Sequence, residues 1–145
     1  MKALIQRVQS SSVHVDGKLV GAIGPGILLF LGVQKGDSEL KVSKLLEKII
    51  HYRIFPDSNG RMGKSLVETK NELLVVSQFT LVADTAKGRK PSFSSAAEPE
   101  LGKTLYELFL HESVQKLGVV QSGEFGADMQ VSLVNDGPVT FMIEV

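Results

Sequence analysis

Ser77-Gln78-Phe79-Thr80 and Asn135-Asp136-Gly137-Pro138-Val139-Thr140 are the two places in this chain where small polar groups and exposed backbone meet apolar runs. Behind a buried strand, consecutive backbone N–H groups at Ser77–Thr80 can face a developing oxyanion, with the Ser77 or Thr80 hydroxyl alongside. The plainer reading is a strand end with ordinary polar residues. Gly137-Pro138 also has two readings. A trans hairpin turn is the common one; a cis bond, found at about 5–6% of X-Pro linkages in folded proteins, would turn two neighbouring carbonyls to one side.

Other chemistries find less support. His14, His51 and His111 are scattered, none with a second ligand at metal spacing, and no Gly-x-Ser-x-Gly elbow accompanies them. Gly63-Lys64-Ser65 resembles the end of a phosphate-binding loop, but Ser58 stands where that loop needs its first glycine. Gly24-x-Gly26 lacks the third glycine of a dinucleotide loop. Without cysteine there are no disulfides, thiolate metal sites or cysteine nucleophiles. Hydroxyls, amides, backbone groups or the substrate itself must then carry any chemistry.

The elements that would position these groups can be read from periodicity. Leu4–Val8 and Ser12–Val15 are strand-like, Asp16-Gly17 is a two-residue hairpin turn, and Lys18–Ile23 returns. Ile27–Val33 is a continuous apolar run expected to be buried on both faces. A helix capped near Asp37 or Ser38 presents Val42, Leu45, Leu46, Ile49 and Ile50 at i, i+3, i+4, i+7, i+8 spacing. Pro56–Gly60 reads as a turn and Leu73–Ser77 as a short buried strand.

The stretch 84–97 lacks periodicity and contains Lys87, Arg89 and Lys90, which marks a functional or mobile loop. Glu98-Pro99-Glu100 opens a second helix, with Leu101, Leu105, Leu108 and Phe109 expected to face inward and Gly118 at its end. Near the C-terminus, Met129, Val131 and Leu133 alternate with Gln130 and Ser132, and Val139, Phe141, Ile143 and Val145 alternate with Thr140, Met142 and Glu144. The expected arrangement is a strand pair with a tight reversal at Asn135–Pro138. The fold class is therefore α+β: a largely antiparallel, barrel-like sheet with two main helices packed on it, in a single domain spanning 1–145.

At 145 residues the chain can bury roughly 70% of its unfolded surface. Its longest apolar run, Gly26–Val33, is far short of the ~20 residues that cross a bilayer. No signal-peptide pattern precedes the first strand, so the cytoplasm is the simplest address. Sixteen basic and sixteen acidic residues cancel, which argues against broad nonspecific grip on nucleic acid but leaves room for a local basic patch.

Taken together, the motifs resemble the D-aminoacyl-tRNA deacylases, also called D-tyrosyl-tRNA deacylases. The resemblance runs from Gln6-Arg7-Val8 through Leu31-Gly32-Val33, Val76–Leu81, Ala83-Asp84 and Arg89–Phe93. It continues through Gly123–Phe125, Ala127–Val131 and Asn135–Phe141. It implies hydrolysis of the ester joining a D-amino acid to the terminal ribose of tRNA, with glycyl-tRNA also accepted, and no required metal or cofactor. It further implies that Ser77, Gln78, Phe79 and Thr80 line the pocket, with amides near Phe79 and Thr80 facing the substrate carbonyl. Gly137-Pro138 would be cis and would enter the partner's pocket in a homodimer, leaving no room for an L side chain. Arg7, with Asn135, would support that loop.

Two routes to hydrolysis remain open, attack by Thr80 or by a water assisted by the substrate's ribose hydroxyl; the second is preferred because no base has a motif position. Lys87, Arg89 and Lys90 are the expected phosphate contacts at the acceptor end. Gly63 departs from the asparagine common at that position in the family. A generic esterase or peptidase using Ser77 or Thr80 and a noncatalytic RNA-binding or interaction module are the competing readings.

Overall fold

A computed structural model describes all of residues 1–145. The alternating N-terminal segment forms one long strand, β1 (Lys2–Val15), joined by the Asp16-Gly17 turn to β2 (Lys18–Ile23). Asp16 and Gly17 both have positive φ, 49° and 75°, the geometry a two-residue hairpin loop requires. Then follow β3 (Gly26–Gly32), helix α1 (Glu39–Ile50), the small hairpin β4 (Phe55–Pro56) and β5 (Met62–Lys64), and the single turn α2 (Leu66–Thr69). Strand β6 (Glu72–Ser77) leads into a 3-10 turn over Phe79–Val82, and α3 (Pro99–Leu117), β7 (Gln121–Ser122) and β8 (Gln130–Glu144) complete the chain.

The main sheet has the order β2-β1-β3-β6-β7, with β8 on the other edge of β1. Strand β1 is antiparallel to β2, β3 and β8. The β3–β6 and β6–β7 pairs are parallel, so the sheet is mixed rather than largely antiparallel on that side. The reason is the connection: α1 lies between β3 and β6, and a helical crossover returns the chain in the same direction. The sheet curls until β2 approaches β7; a side-chain carbon on Gly21 would sit 2.6 Å from the Ser122 carbonyl oxygen. A nearly closed, barrel-like wall results.

Alternation along β3 and β6 divides the core. Ile27, Leu29, Leu31, Leu73 and Val75 join the apolar faces of α1 and α3, whereas Leu28, Leu74 and Val76 face Val8, Val13 and Ile23 inside the curl. Burial on both faces explains why Ile27–Val33 is unbroken by polar residues. Of the residues expected inward on α3, Leu105 and Phe109 are buried and Leu108 is half-buried, but Leu101 is exposed; Gly102 and Tyr106 are buried instead. Leu101 sits on the first turn, one position off the face that Gly102, Leu105, Tyr106 and Phe109 present to the sheet.

Helix α1 starts after Ser38, and Asp37 is used elsewhere. Its carboxylate, fully buried, accepts from the Met1 ammonium at 2.8 Å, from Lys41 at 2.9 Å and from the Gln34 amide at 2.7 Å. Burial opposes ionisation, yet the bonds from the ammonium, the amide and Lys41 outweigh it and hold the carboxyl below its ordinary range.

The expected reversal at Asn135–Pro138 does not exist. Strand β8 runs straight on, antiparallel to β1 along its length, with Thr140 opposite Gln6 and Asn135 opposite Val8. Asp136, Gly137, Pro138 and Val139 therefore stand against the single residue Arg7 as a large bulge. Alternation on both sides of a bulge looks the same, locally, as alternation on both sides of a hairpin.

Candidate active site

The β6 strand carries its backbone pairing one residue past its end: Gln78 donates to the Leu31 carbonyl at 2.8 Å. The chain then tightens into the 3-10 turn, with Leu81 donating to Gln78 and Ala83 to Thr80. Gly32 makes this possible. A side-chain carbon there would lie 2.7 Å from Val82 Cγ1 and 3.2 Å from Leu81 Cβ, so the turn could not pack on β3. The amides of Phe79 and Thr80 open the turn and donate to none of the loop, turn or cap carbonyls. The Gln78 side-chain amide bonds to the Thr80 hydroxyl, and no histidine or carboxylate bonds to it.

Ser77, Gln78 and Phe79 form one lip of a cleft of about 480 Å³. Its lining is mostly apolar, with Tyr106 and Phe125 (ring centroids 5.7 Å apart), Met129 and Val131 against the small residues Ala97 and Gly102. Tyr106 donates its hydroxyl to the Val75 carbonyl at 3.1 Å, tying α3 to β6 beneath the lip. Burial pushes its phenol up to about 12, so it stays a neutral donor.

Arg7, Asn135, Gly137 and Pro138 gather around the bulge, outside the lining of this cleft. Arg7 Nε donates to the Asp136 carbonyl at 3.0 Å and lies 3.3 Å from its carboxylate, while Nη1 reaches the Ile54 carbonyl at 2.6 Å. Asn135 closes the neck: its amide oxygen accepts from Val139 N–H at 2.9 Å and its nitrogen donates to the Thr140 hydroxyl at 2.9 Å. Gly137 has φ of 136°, and a side-chain carbon on it would meet Val139 Cγ2 at 2.7 Å and Arg7 Nη2 at 3.3 Å. The Gly137-Pro138 bond is cis, and both residues are exposed.

Within one chain the candidate residues thus form three groups: Ser77, Gln78 and Phe79 at the cleft with Thr80 beside it, Arg7, Asn135, Gly137 and Pro138 at the bulge, and Lys87, Arg89 and Lys90 on an exposed hairpin. Sequence patterning missed Tyr106, Phe125, Met129 and the Ile54 carbonyl. The one local signal was Gly102, a glycine inside a helix where Phe125 packs 3.5 Å from the missing side chain. No three side chains of metal-ligating type converge anywhere.

A family model described as D-Tyr-tRNA(Tyr) deacylase matches residues 4–144. The chain belongs to that family. By kinship along its whole length it is a hydrolase of the deacylase class. A D-aminoacyl-tRNA deacylase of Methylococcus capsulatus is 54% identical over 143 residues, covering 99% of this chain and 94% of that one. One from Haemophilus influenzae is 53% identical over 145 residues, the whole of both. Among solved structures, a c-Myc DNA unwinding element binding protein superposes with TM-score 0.95 at 38% identity, covering 100% of this chain and 99% of that one. A probable eukaryotic D-amino acid tRNA deacylase superposes at 0.87 with 19% identity, over 99% and 98%, a likeness of fold. No helix of this family member is long and apolar enough to cross a membrane.

Proposed function

We propose that this chain hydrolyses the ester between a D-amino acid and the terminal ribose of tRNA, the reaction for which its relatives are named. The observation that carries the reading is the pair of amides, Phe79 and Thr80, that open a turn at the lip of an apolar cleft and donate to none of the loop, turn or cap carbonyls. An ester carbonyl placed at those amides puts the attached nucleoside in the cleft, against Tyr106, Phe125 and Met129. Two amides aimed at the developing oxyanion are the largest single stabilisation such a reaction needs from protein.

Water, positioned by the neighbouring ribose hydroxyl, adds to the carbonyl carbon; the carbon–oxygen bond to the ribose breaks, and the departing ribose oxygen takes up a proton. Free amino acid and tRNA result. Thr80, held by Gln78, serves as an orienting group in this route. If Thr80→Ala abolishes turnover while leaving substrate affinity intact, the hydroxyl is the nucleophile instead.

Selectivity is assigned to the Gly137-Pro138 edge of a second copy in a homodimer. The bulge is exposed and lies outside the lining of its own chain's cleft, which supports its entering the cleft of a partner. Arg7 and Asn135 hold that edge in place. A backbone edge rejects an L side chain by steric exclusion and tolerates many D side chains, as well as glycine, which has none. Lys87, Arg89 and Lys90 supply phosphate contacts at the acceptor end, and a substrate of charged tRNA places the protein in the cytoplasm.

Matched D- and L-aminoacyl-tRNAs, incubated with the protein with and without chelator, test this. D-esters should be cleaved, L-esters spared, and chelator should change nothing. Equal cleavage of both, or loss of activity with chelator, sinks the reading.

A further inference from the structure

Within one chain Phe79 and Phe93 are exposed apolar rings, 62% and 39% exposed, and they lean on each other with centroids 5.1 Å apart. Phe79 also forms the cleft lip, so the aromatic surface begins where the cleft ends. Beyond it stands the 84–92 hairpin, in which Asp84 and Ser92 exchange both backbone hydrogen bonds, at 2.8 and 3.0 Å. Its base is fastened to the 3-10 turn and to the chain just past β3: Ser95 Oγ donates to the Val82 carbonyl at 2.5 Å and Ala97 N–H to the Val33 carbonyl at 3.1 Å. Lys87, Arg89 and Lys90 occupy the tip. None of the ion pairs of the chain involves them. The one acid in the hairpin, Asp84, takes the Ala86 N–H at 2.9 Å. A hairpin fastened at its base thus carries three cations outside any ion pair, in the segment that leads into Phe93, on a chain whose overall charge is zero.

We propose that Phe79 and Phe93 are a stacking platform for the unpaired nucleotides that precede the terminal nucleotide of the RNA substrate, with Lys87, Arg89 and Lys90 on their phosphates. This rests on the assignment of the cleft to the aminoacylated end. Aromatic faces beside a cationic track are what single-stranded nucleic acid needs, because every base has a face to stack and every linkage a charge. A second copy of this chain would cover the rings with no use for three unpaired cations. Stacking is indifferent to base identity, which suits an enzyme acting on many tRNAs that share one 3′ end. It also concentrates affinity at a few phosphates, consistent with a neutral protein.

The experiment compares a D-aminoacyl-tRNA with the same amino acid esterified to adenosine alone, which ends inside the cleft. Wild type should prefer the tRNA in kcat/KM, and Phe93→Ala should shrink that preference about tenfold, with Phe93→Trp restoring it. Lys87→Ala/Arg89→Ala/Lys90→Ala should flatten the salt dependence of KM for tRNA. A preference unchanged in Phe93→Ala, or both substrates losing equally, overturns the platform. So does a change of oligomeric state in Phe93→Ala, read by sedimentation, since the rings would then belong to a subunit contact. Binding of an uncharged oligonucleotide ending in CCA, followed by fluorescence anisotropy, separates the two claims. If wild type cleaves no D-ester yet binds the oligonucleotide through Phe93, the platform stands and the assigned reaction falls.

Discussion

The Phe79–Val82 turn and the Asp136–Val139 bulge interrupt strands by opposite means. The turn is anchored inward at its far end: Phe79 and Thr80 are exposed but Val82 is buried, Gly32 yields the space, and the fastenings are backbone hydrogen bonds to Leu31, Gln78 and Thr80. The bulge is pushed outward, its Gly137 and Pro138 exposed, and side chains fasten it, Arg7 at its tip and Asn135 at its neck. For the proposed role of presenting amides to a reacting carbonyl, a turn gains from being anchored in the core, because close packing fixes position. The bulge packs only at its base, through Val139, and its exposed part depends on charged and polar struts. The turn should therefore fail together with the fold, and the bulge should fail alone.

The reference for that contrast lies outside both segments. Asp37→Asn leaves the Met1 ammonium buried against a neutral amide and should cost about 3–5 kcal/mol in urea unfolding, the largest effect of this set. Because the Asp37 carboxyl titrates below its unfolded value, the stability it contributes is complete above the ordinary carboxylate range. It is lost as pH falls through the lowered value, so the difference between wild type and variant should vanish in strong acid.

Gly32→Val comes next. Its side chain meets Val82 and Leu81, and overpacking of this kind costs about 1–3 kcal/mol, so denaturation midpoint and D-ester hydrolysis should fall together. Loss of one without the other would break the comparison. Arg7→Ala should reverse the pattern: stability drops by about 1–2 kcal/mol, while D-over-L selectivity, measured on matched aminoacyl-tRNAs, falls at least about tenfold. Arg7→Lys, which cannot reach the Asp136 and Ile54 carbonyls as a fork, should recover stability more than selectivity. Asn135→Ala is the mildest. Removing one strut at the neck should cost about 1 kcal/mol and loosen selectivity modestly, with the turn's contribution to kcat intact.

What the sequence disclosed follows the same division. The Asp16-Gly17 turn, the doubly buried β3 and the inward face of α1 are local patterns, each legible because positive φ or periodicity leaves a mark within a few residues. The position of Ser77–Thr80 after a buried strand was legible for the same reason. The bulge was not, since its partner Arg7 lies 129 residues away and nothing near Asn135 distinguishes a detour from a reversal. The parallel pairing of β3 with β6 and the lining supplied by Tyr106, Phe125 and Met129 are likewise long-range facts. Leu101 was misplaced because its spacing fits a helical stripe that the packing shifts by one residue.

Strand β8 closes on β1 from Glu144 opposite Lys2 to Gln130 opposite His14, joining the two extremes of the amino-acid order along one seam. Such distant pairing carries a high loop-closure cost and puts this architecture among the slower folders of its size. During synthesis, Arg7 emerges first and waits for nearly the entire polypeptide before Asp136 arrives to meet it. On the proposed assignment selectivity is consequently a late acquisition: a ribosome-bound fragment ending before β8 lacks the Gly137-Pro138 edge altogether.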